Sequence, residues 1–205
     1  KLEILFVGAD FEVALFANYK YKIKRDTGCK VVVSDPGVIE IAGDKYRTYK
    51  FLKDNDFYCP ATFLPEEFPG SGMKFPCVLK PRKGTGGKGL YVIDSPRELE
   101  RMLPYASDHI IQEFIGSSDQ EYTCGVIFFD NQVKQIIALR RQLQYGNTKT
   151  AYFSKDTPSA IYDYVCDVAG RLKPFGACNF QLRIDAEKRP KIFEINPRHS
   201  GTTYV

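Results

Sequence analysis

Between residues 80 and 89 the chain reads KPRKGTGGKG, a basic segment dense in glycine. It is bracketed by two apolar runs, Cys77–Pro81 and Leu90–Ile93, that read as strands. This bracketing decides what the glycines can do. Gly84, Gly86 and Gly89 match G-x-G-x-x-G, but a dinucleotide fingerprint needs its glycines to open a helix, and the residues that follow are strand-like. A P-loop needs a glycine ahead of its Gly-Lys pair where Arg82 stands, and Ser or Thr where Gly89 stands. A kinase phosphate loop is also a hairpin, yet no H-R-D or D-F-G follows; Pro174, Phe175 and Gly176 lack the aspartate. What remains is a glycine-rich turn between antiparallel strands. Glycine lets backbone N–H groups approach phosphate oxygens with no Cβ in the way, and Lys80, Lys83 and Lys88 add charge. A flexible basic turn is the bland alternative.

The second informative stretch is a hairpin pattern, Ala177–Asp185, a turn over Ala186–Pro190, and Lys191–Asn196. Alternation puts Asn179, Gln181, Arg183 and Asp185 on one face, and Glu194, Asn196 and Arg198 on one face of the return strand. A turn centred near residues 187 and 188 sets Gln181 opposite Glu194 and Asn179 opposite Asn196. Carboxylate and amide oxygens gathered in this way suit Mg²⁺, a hard cation that shares its shell with substrate phosphates. Arg198 is then placed to contact a phosphate or an acyl phosphate. A merely solvated polar face is the alternative.

Along the chain, Ile4–Val7 reads as a strand, Phe11–Arg25 as a helix and Cys29–Val33 as a second strand ending in a turn at Asp35, Pro36 and Gly37. Strand, helix, strand implies a parallel pair. Residues 43–57 read as a helix, and the Pro- and Gly-rich segment Cys59–Pro76 as a linker. Ser95, Pro96 and Glu98 predict a helix start with a capping box. Strands are expected at Ile110–Ile115, Tyr122–Phe129 and Val133–Arg140, the last two joined by a turn at Asp130 and Asn131, and a helix at about 159–173.

Bulk properties narrow the partners. The net charge of +4 is small and the basic residues are scattered, which argues against a nucleic-acid partner. No apolar run approaches the ~18–20 residues of a membrane helix, and no signal peptide is visible, so a cytoplasmic protein is expected. The six cysteines form no CxxC pair, and with two histidines a zinc site is not expected. The chain opens on an apolar strand and stops soon after a charged one, which reads as if material were missing at both ends.

These motifs, in this order, resemble the ATP-grasp superfamily, and most of all the ATP-grasp domains of carbamoyl-phosphate synthase large-subunit-like proteins. The resemblance is carried by VLKP and GGKG within Val78–Gly89, IIQEFIG and EY within Ile110–Tyr122, GACNFQ at Gly176–Gln181 and FEINPRHSG at Phe193–Gly201. It covers about residues 40–205. It implies an α/β (α+β) fold with two subdomains whose antiparallel sheets grip ATP, preceded by a partial Rossmann-like piece. The implied division is 1–42 for that piece and 43–205 for the ATP-grasp domain, with a small subdomain at about 75–112 and a larger one at about 113–205.

The resemblance also implies roles. Lys80 and Lys45 would contact the phosphates. Gly84, Thr85, Gly86, Gly87 and Gly89 would form the flap. Gln112, Glu113, Phe114 and Ile115 would form the adenine edge, mostly through backbone, and Glu121 would hold the ribose hydroxyls. Gln181, Glu194 and Asn196 would bind Mg²⁺ or Mn²⁺, with Gln181 standing where many members carry Glu. Arg198, Lys80 and Arg141 would serve the chemistry; for Arg140 and Arg141 a structural pairing with an acidic side chain is the alternative. The implied activity is an ATP-dependent ligase that activates a carboxylate as an acyl phosphate for attack by an amine or another nucleophile. A non-catalytic ATP-binding regulatory module is the second reading, and a nucleic-acid-binding domain a third. Small carboxylates and amines are the expected partners, with a homodimer among the expected assemblies.

Overall fold

The computed structural model describes residues 2–84, 87–117, 120–144 and 147–199 of the chain. The chain opens with β1 (Ile4–Phe6), α1 (Asp10–Thr27) and β2 (Lys30–Val32), and β1 and β2 pair in parallel, as strand-helix-strand connectivity requires. Gly28 ends α1 in the left-handed conformation, φ 77°, with its N–H bonded to Lys24 O. The expected turn at Asp35–Gly37 is instead the start of a helix, α2 (Pro36–Ala42). An extended Asp followed by Pro begins a helix as readily as it begins a turn. The helix expected at 43–57 is shorter, α3 (Lys45–Asp54), capped by the Asp44 carboxylate, which accepts from the N–H groups of Tyr46 and Arg47.

Two antiparallel sheets follow. The first has strand order β3-β6-β4-β5, from β3 (Thr62–Phe63), β4 (Cys77–Pro81), β5 (Tyr91–Ile93) and β6 (His109–Glu113). The segment read as a linker therefore supplies an edge strand, because Thr62 and Phe63 pair with Gln112 and Ile111. α4 (Pro96–Met102) covers this sheet, and Leu79, Ile93, Leu99 and Ile111 are almost wholly buried together. Ser95 caps α4 by accepting from Glu98 N–H, but the Glu98 carboxylate accepts from Asp94 N–H, one residue earlier than the expected box.

The second sheet has the order β11-β10-β7-β8-β9. It is built from β7 (Glu121–Phe129), β8 (Gln132–Gln144), β9 (Asn147–Tyr152), β10 (Gly176–Ile184) and β11 (Pro190–Asn196). β8 runs longer than expected and β9 was not anticipated; their pairing is formed by a polar stretch with little apolar alternation. Asp130 and Asn131 both take positive φ, 53° and 59°, at the turn between β7 and β8. α5 (Ser159–Leu172) lays Ile161, Val165, Val168 and Leu172 on the sheet, a 3.6-residue stripe. No described helix is long and apolar enough to cross a membrane, and all six cysteines are free.

Two glycines hold this arrangement. Gly176 has φ +83°, and a Cβ there would lie 2.6 Å from Val32 Cγ1, so the start of β10 can approach β2 only without a side chain. Gly116, φ +52°, sits between β6 and β7 where a Cβ would lie 2.6 Å from Ile184 O.

Candidate active site

The β10–β11 hairpin carries the expected register. Asn179 pairs with Asn196 and Gln181 with Glu194, and a bulge follows at once, because Leu182 pairs with Ile192 and leaves Phe193 unpaired. The extra residue changes which side chains reach the cleft. Ile192 and Ile195 are both buried, while Phe193 and Glu194, adjacent in sequence, are both partly exposed. Lys191 shares its register position with Arg183 on the same face as the pair Gln181 and Glu194.

The bulge brings the glycine-rich segment and the hairpin together. Lys80 Nζ lies 5.1 Å from the centroid of the Phe193 ring. Lys80 is almost wholly buried, and among the described residues it forms no salt bridge. Burial pushes its pKa down to about 7, against the pull of Glu194 and with the push of Lys45. An ammonium buried in this way, with no carboxylate paired to it among the described residues, could hold an anion, which would favour its charged form.

Lys45, the first residue of α3, reaches back across the same space. Its Nζ donates to Gly84 O at 2.8 Å and its backbone N–H to Arg82 O. Lys45, Gly84, Glu194, Asn196 and Arg198 line one cavity of about 310 Å³. The Asp44–Arg82 pair locks the first turn of α3 to the start of the loop, with Arg82 Nη2 at 2.6 Å and Nε at 3.2 Å from the carboxylate. Burial raises the Asp44 pKa, but the hydrogen bonds from Arg82, Tyr46 and Arg47 outweigh it and the net shift is downward. Gly87 and Gly89 take positive φ, 65° and 73°, as a flap-like turn requires, whereas Thr85 and Gly86 lie outside the described residues.

The metal-ligand candidates sit together. Asn196 Nδ2 donates to Glu194 Oε1 at 3.1 Å, and Thr123 Oγ1 donates to Asn179 Oδ1 at 2.6 Å from the neighbouring strand. Glu194 is the single carboxylate of the set Gln181, Glu194 and Asn196. Three oxygen-bearing side chains beside a buried lysine fit one divalent cation whose remaining ligands are phosphate oxygens and water.

At the hinge between the two sheets the side chains are committed to the protein. Gln112 Nε2 donates to Thr62 Oγ1, and the Glu113 carboxylate accepts from Ala61 N–H and from Lys191 Nζ at 2.8 Å. The Phe114 ring lies 5.4 Å from the Arg183 guanidinium carbon, and Ile115 O accepts from Arg183 Nη1. Much of the backbone there is engaged as well, since Gln112 pairs with both Thr62 and Val78, and Glu113 N–H donates to Ala61 O. Glu121 departs further from its expected role. It is 1% exposed, with Arg141 on one carboxylate oxygen and Arg183 on the other. Arg141, expected to serve chemistry, is thus in the structural pairing that was its alternative, with a further contact to Thr148 Oγ1. Arg198 pairs with Asp10, its Nη2 at 2.7 Å from the carboxylate, and donates to His199 O. Arg183 and Asp10 carried no assigned role in the sequence; Arg183 alternates onto the site face, but nothing marks Asp10 as the partner of a residue so distant.

Comparison with known proteins agrees with this geometry. A family profile described as an ATP-grasp domain matches residues 42–202. An uncharacterised protein of Mycoplasma genitalium is 29% identical over 133 residues, 64% of this chain and 44% of that protein. D-alanine–D-alanine ligase of Pseudothermotoga lettingae is 24% identical over 183 residues, 82% of this chain and 59% of that enzyme. The chain thus spans about half the length of these relatives. Among solved structures, the biotin carboxylase domain dimer of Hydrogenobacter thermophilus 2-oxoglutarate carboxylase, in complex with MgADP, ADP and bicarbonate, superposes with a TM-score of 0.77 over 99% of this chain and 49% of that one, at 18% identity. A glycine-rich hairpin on one antiparallel sheet, facing an oxygen-bearing hairpin on another across a buried lysine, is here matched by fold and by sequence alike, and the chain belongs to the ATP-grasp family.

Proposed function

We propose that the chain binds Mg-ATP between the glycine-rich loop and the β10–β11 hairpin and uses it as a carboxylate ligase. One observation carries this reading: Lys45, Gly84, Glu194, Asn196 and Arg198 line a single cavity, with Lys80 buried beside Phe193. A binding module for adenine alone has no use for a carboxylate and an amide held 3.1 Å apart at the phosphate end.

In this mechanism Lys80 and Lys45 hold the phosphates, and the turn at Gly84–Gly89 covers them. Glu194 and Asn196, with Gln181 adjacent, would hold a divalent cation, and the chemistry it would supply there is charge neutralisation on the phosphates. The phosphorus–oxygen bond to ADP breaks as one forms to a carboxylate oxygen, giving an acyl phosphate and ADP. Arg198 offsets the charge on the transferred group. An amine lone pair then attacks the acyl carbon, inorganic phosphate leaves, and the amine loses a proton. No side-chain nucleophile is needed. The strings shared with carbamoyl-phosphate synthase large-subunit-like proteins support the same chemistry. Division into a piece at 1–42 and two gripping subdomains, and assembly into a homodimer, belong to this proposal; light scattering reads the latter.

The test is ADP release from Mg-ATP with a panel of carboxylates and amines. Carboxylate-dependent ADP release that is lost in Lys80→Ala and Glu194→Ala supports the ligase. Tight Mg-ATP binding with no ADP release under any carboxylate replaces it with the regulatory module.

A further inference from the structure

The end of β11 away from the oxygen ligands carries a second arrangement on the cleft face. Lys191 Nζ donates to both oxygens of the Glu113 carboxylate, at 2.8 and 3.1 Å, and lies 3.6 Å from Asp185. Glu113 is the last residue of β6, in the other sheet. It holds Ala61 twice, with its backbone N–H on Ala61 O and its carboxylate accepting from Ala61 N–H. Asp185 is fixed in turn by Arg189, whose backbone N–H and Nε both donate to it. Three segments thus meet on the Glu113 carboxylate: the residue before β3, the end of β6 and the start of β11.

Stability does not account for this arrangement. The Glu113 side chain is 35% exposed, and an ion pair so placed contributes little to folding while it immobilises a long lysine side chain. What the pair fixes is a distance between the two sheets. Lys191 stands three residues before Glu194, ~10 Å along a strand that rises ~3.3 Å per residue. One strand therefore carries the cation-site carboxylate near one end and a tether to the hinge at the other. Resting on the Mg-ATP reading, we infer that Lys191 is a positioning residue for the base end of the nucleotide. Acting through Glu113, it holds the segment Glu113–Ile115 at a set reach from Glu194. A nucleotide with its phosphates at Lys45, Lys80 and Glu194 lies between the sheets, and its base end meets the segment where the sheets join. Without the tether the phosphates keep their partners and the base loses its place.

Calorimetry on the full chain compares Mg-ATP with Mg-tripolyphosphate, which has the phosphates and no base. Lys191→Met is expected to weaken Mg-ATP about tenfold and Mg-tripolyphosphate by less than about twofold, since only the base end is misplaced. In ADP release the same variant is expected to raise KM for ATP about tenfold while kcat stays within about twofold. Lys191→Arg is expected to recover part of the affinity, because it keeps the charge on Glu113. Glu113→Gln keeps an acceptor for Ala61 N–H and is expected to match Lys191→Met, with the double variant no weaker than either. Glu113→Gln supplies the same comparison if Lys191→Met fails to fold. Additive losses put Lys191 on the nucleotide itself and overturn the route through Glu113. Equal losses for the two ligands, or none for Mg-ATP, also overturn it. Mg-ATP binding with no ADP release under any carboxylate overturns the ligase and leaves the positioning role to the binding data. No Mg-ATP binding by the parent chain overturns both.

Discussion

Arg82 and Asp44 form an ion pair, Nη2 to Oδ2 at 2.6 Å, across the seam between the glycine-rich loop and the first turn of α3. Asp44 is also the N-cap of α3 and is nearly buried, so one carboxylate fixes both the helix start and the loop start. Lys45 is the residue between these two anchors. Replacing Asp44 with Ala removes a cap, ~1 kcal/mol, and leaves the half-buried Arg82 without its partner, ~1–3 kcal/mol more. The expected result is a lower denaturant midpoint together with a raised KM for ATP, because Lys45 loses its aim. A lower midpoint with unchanged KM would show that the pair serves stability alone.

Glu121 is the only carboxylate of a buried triad with Arg141 and Arg183. Glu121→Leu leaves two guanidiniums facing each other without compensation, and a loss of ~3–5 kcal/mol is expected in chemical denaturation. Arg141→Met and Arg183→Met combined with Glu121→Leu should recover much of that loss, since the desolvated charges go together. A triple variant no more stable than Glu121→Leu would sink the account.

Lys80 links nucleotide binding to pH. Its pKa of about 7 lies below the ordinary lysine value of 10.5, because burial disfavours the charged form. The sign follows: the unfolded chain holds a proton that the native chain releases between about pH 7 and 10.5, so this group's contribution to stability rises with pH across that window and its cost is fully present below it. A bound polyphosphate favours the ammonium and raises the value, so binding takes up a proton. Affinity for ATP is expected to weaken above about pH 7, by up to tenfold per pH unit. Calorimetry at about pH 8 in buffers of different ionisation enthalpy reads the uptake; buffer-independent heats would contradict it. Lys80→Arg should flatten the profile, as arginine keeps its charge.

The single carboxylate among Gln181, Glu194 and Asn196 makes metal affinity adjustable. Gln181→Glu sets a second carboxylate opposite Glu194. The Mg²⁺ concentration for half-maximal ADP release is expected to fall several-fold, and Ca²⁺ should inhibit more strongly. Glu194→Gln should raise that concentration by at least an order of magnitude. No change in either variant would move the cation elsewhere.

Gly116 is expected to be intolerant of even the smallest side chain. At φ +52°, with Ile184 O 2.6 Å from the position of a Cβ, Gly116→Ala combines a left-handed backbone with a clash against main chain. A destabilisation of ~1–3 kcal/mol is expected, with a larger effect on KM for ATP than a surface Gly→Ala such as Gly170→Ala, which meets nothing within 4 Å.

The sequence made the hairpin register legible, since alternation plus a turn centre determines which of Gln181, Glu194, Asn179 and Asn196 face one another. It also made the strands around the glycines legible, because Val78, Leu79 and Val92 have no helical spacing. Short and ambiguous signals failed. Asp35 and Pro36 start a turn or a helix equally well, and two residues of strand at Thr62 and Phe63 carry no period to read. Residues that share a partner far along the chain were the hardest. Arg141 and Arg183 converge on Glu121 from separate strands, and Asp10 finds Arg198 through packing of the N-terminal piece on the hairpin; neither convergence has a local signature.

The unpaired Phe193 has a consequence for anyone redesigning this hairpin. Strand parity is inverted at that residue, so β11 is not interchangeable with a regular strand of equal hydrophobicity. Deleting Phe193 would close the ladder into an ideal antiparallel pair without turning either flank over: Lys191 would stay opposite Arg183, Ile192 opposite Leu182 in the core, and Glu194 opposite Gln181 on the cleft face. The loss would be the ring itself, 5.1 Å from Lys80 Nζ. A regular strand of unchanged length is a different matter, because unbroken alternation cannot keep Ile192 and Ile195 in the core together with Glu194 and Asn196 on the cleft face. A shortened hairpin keeps the oxygen ligands and gives up the aromatic neighbour of the lysine.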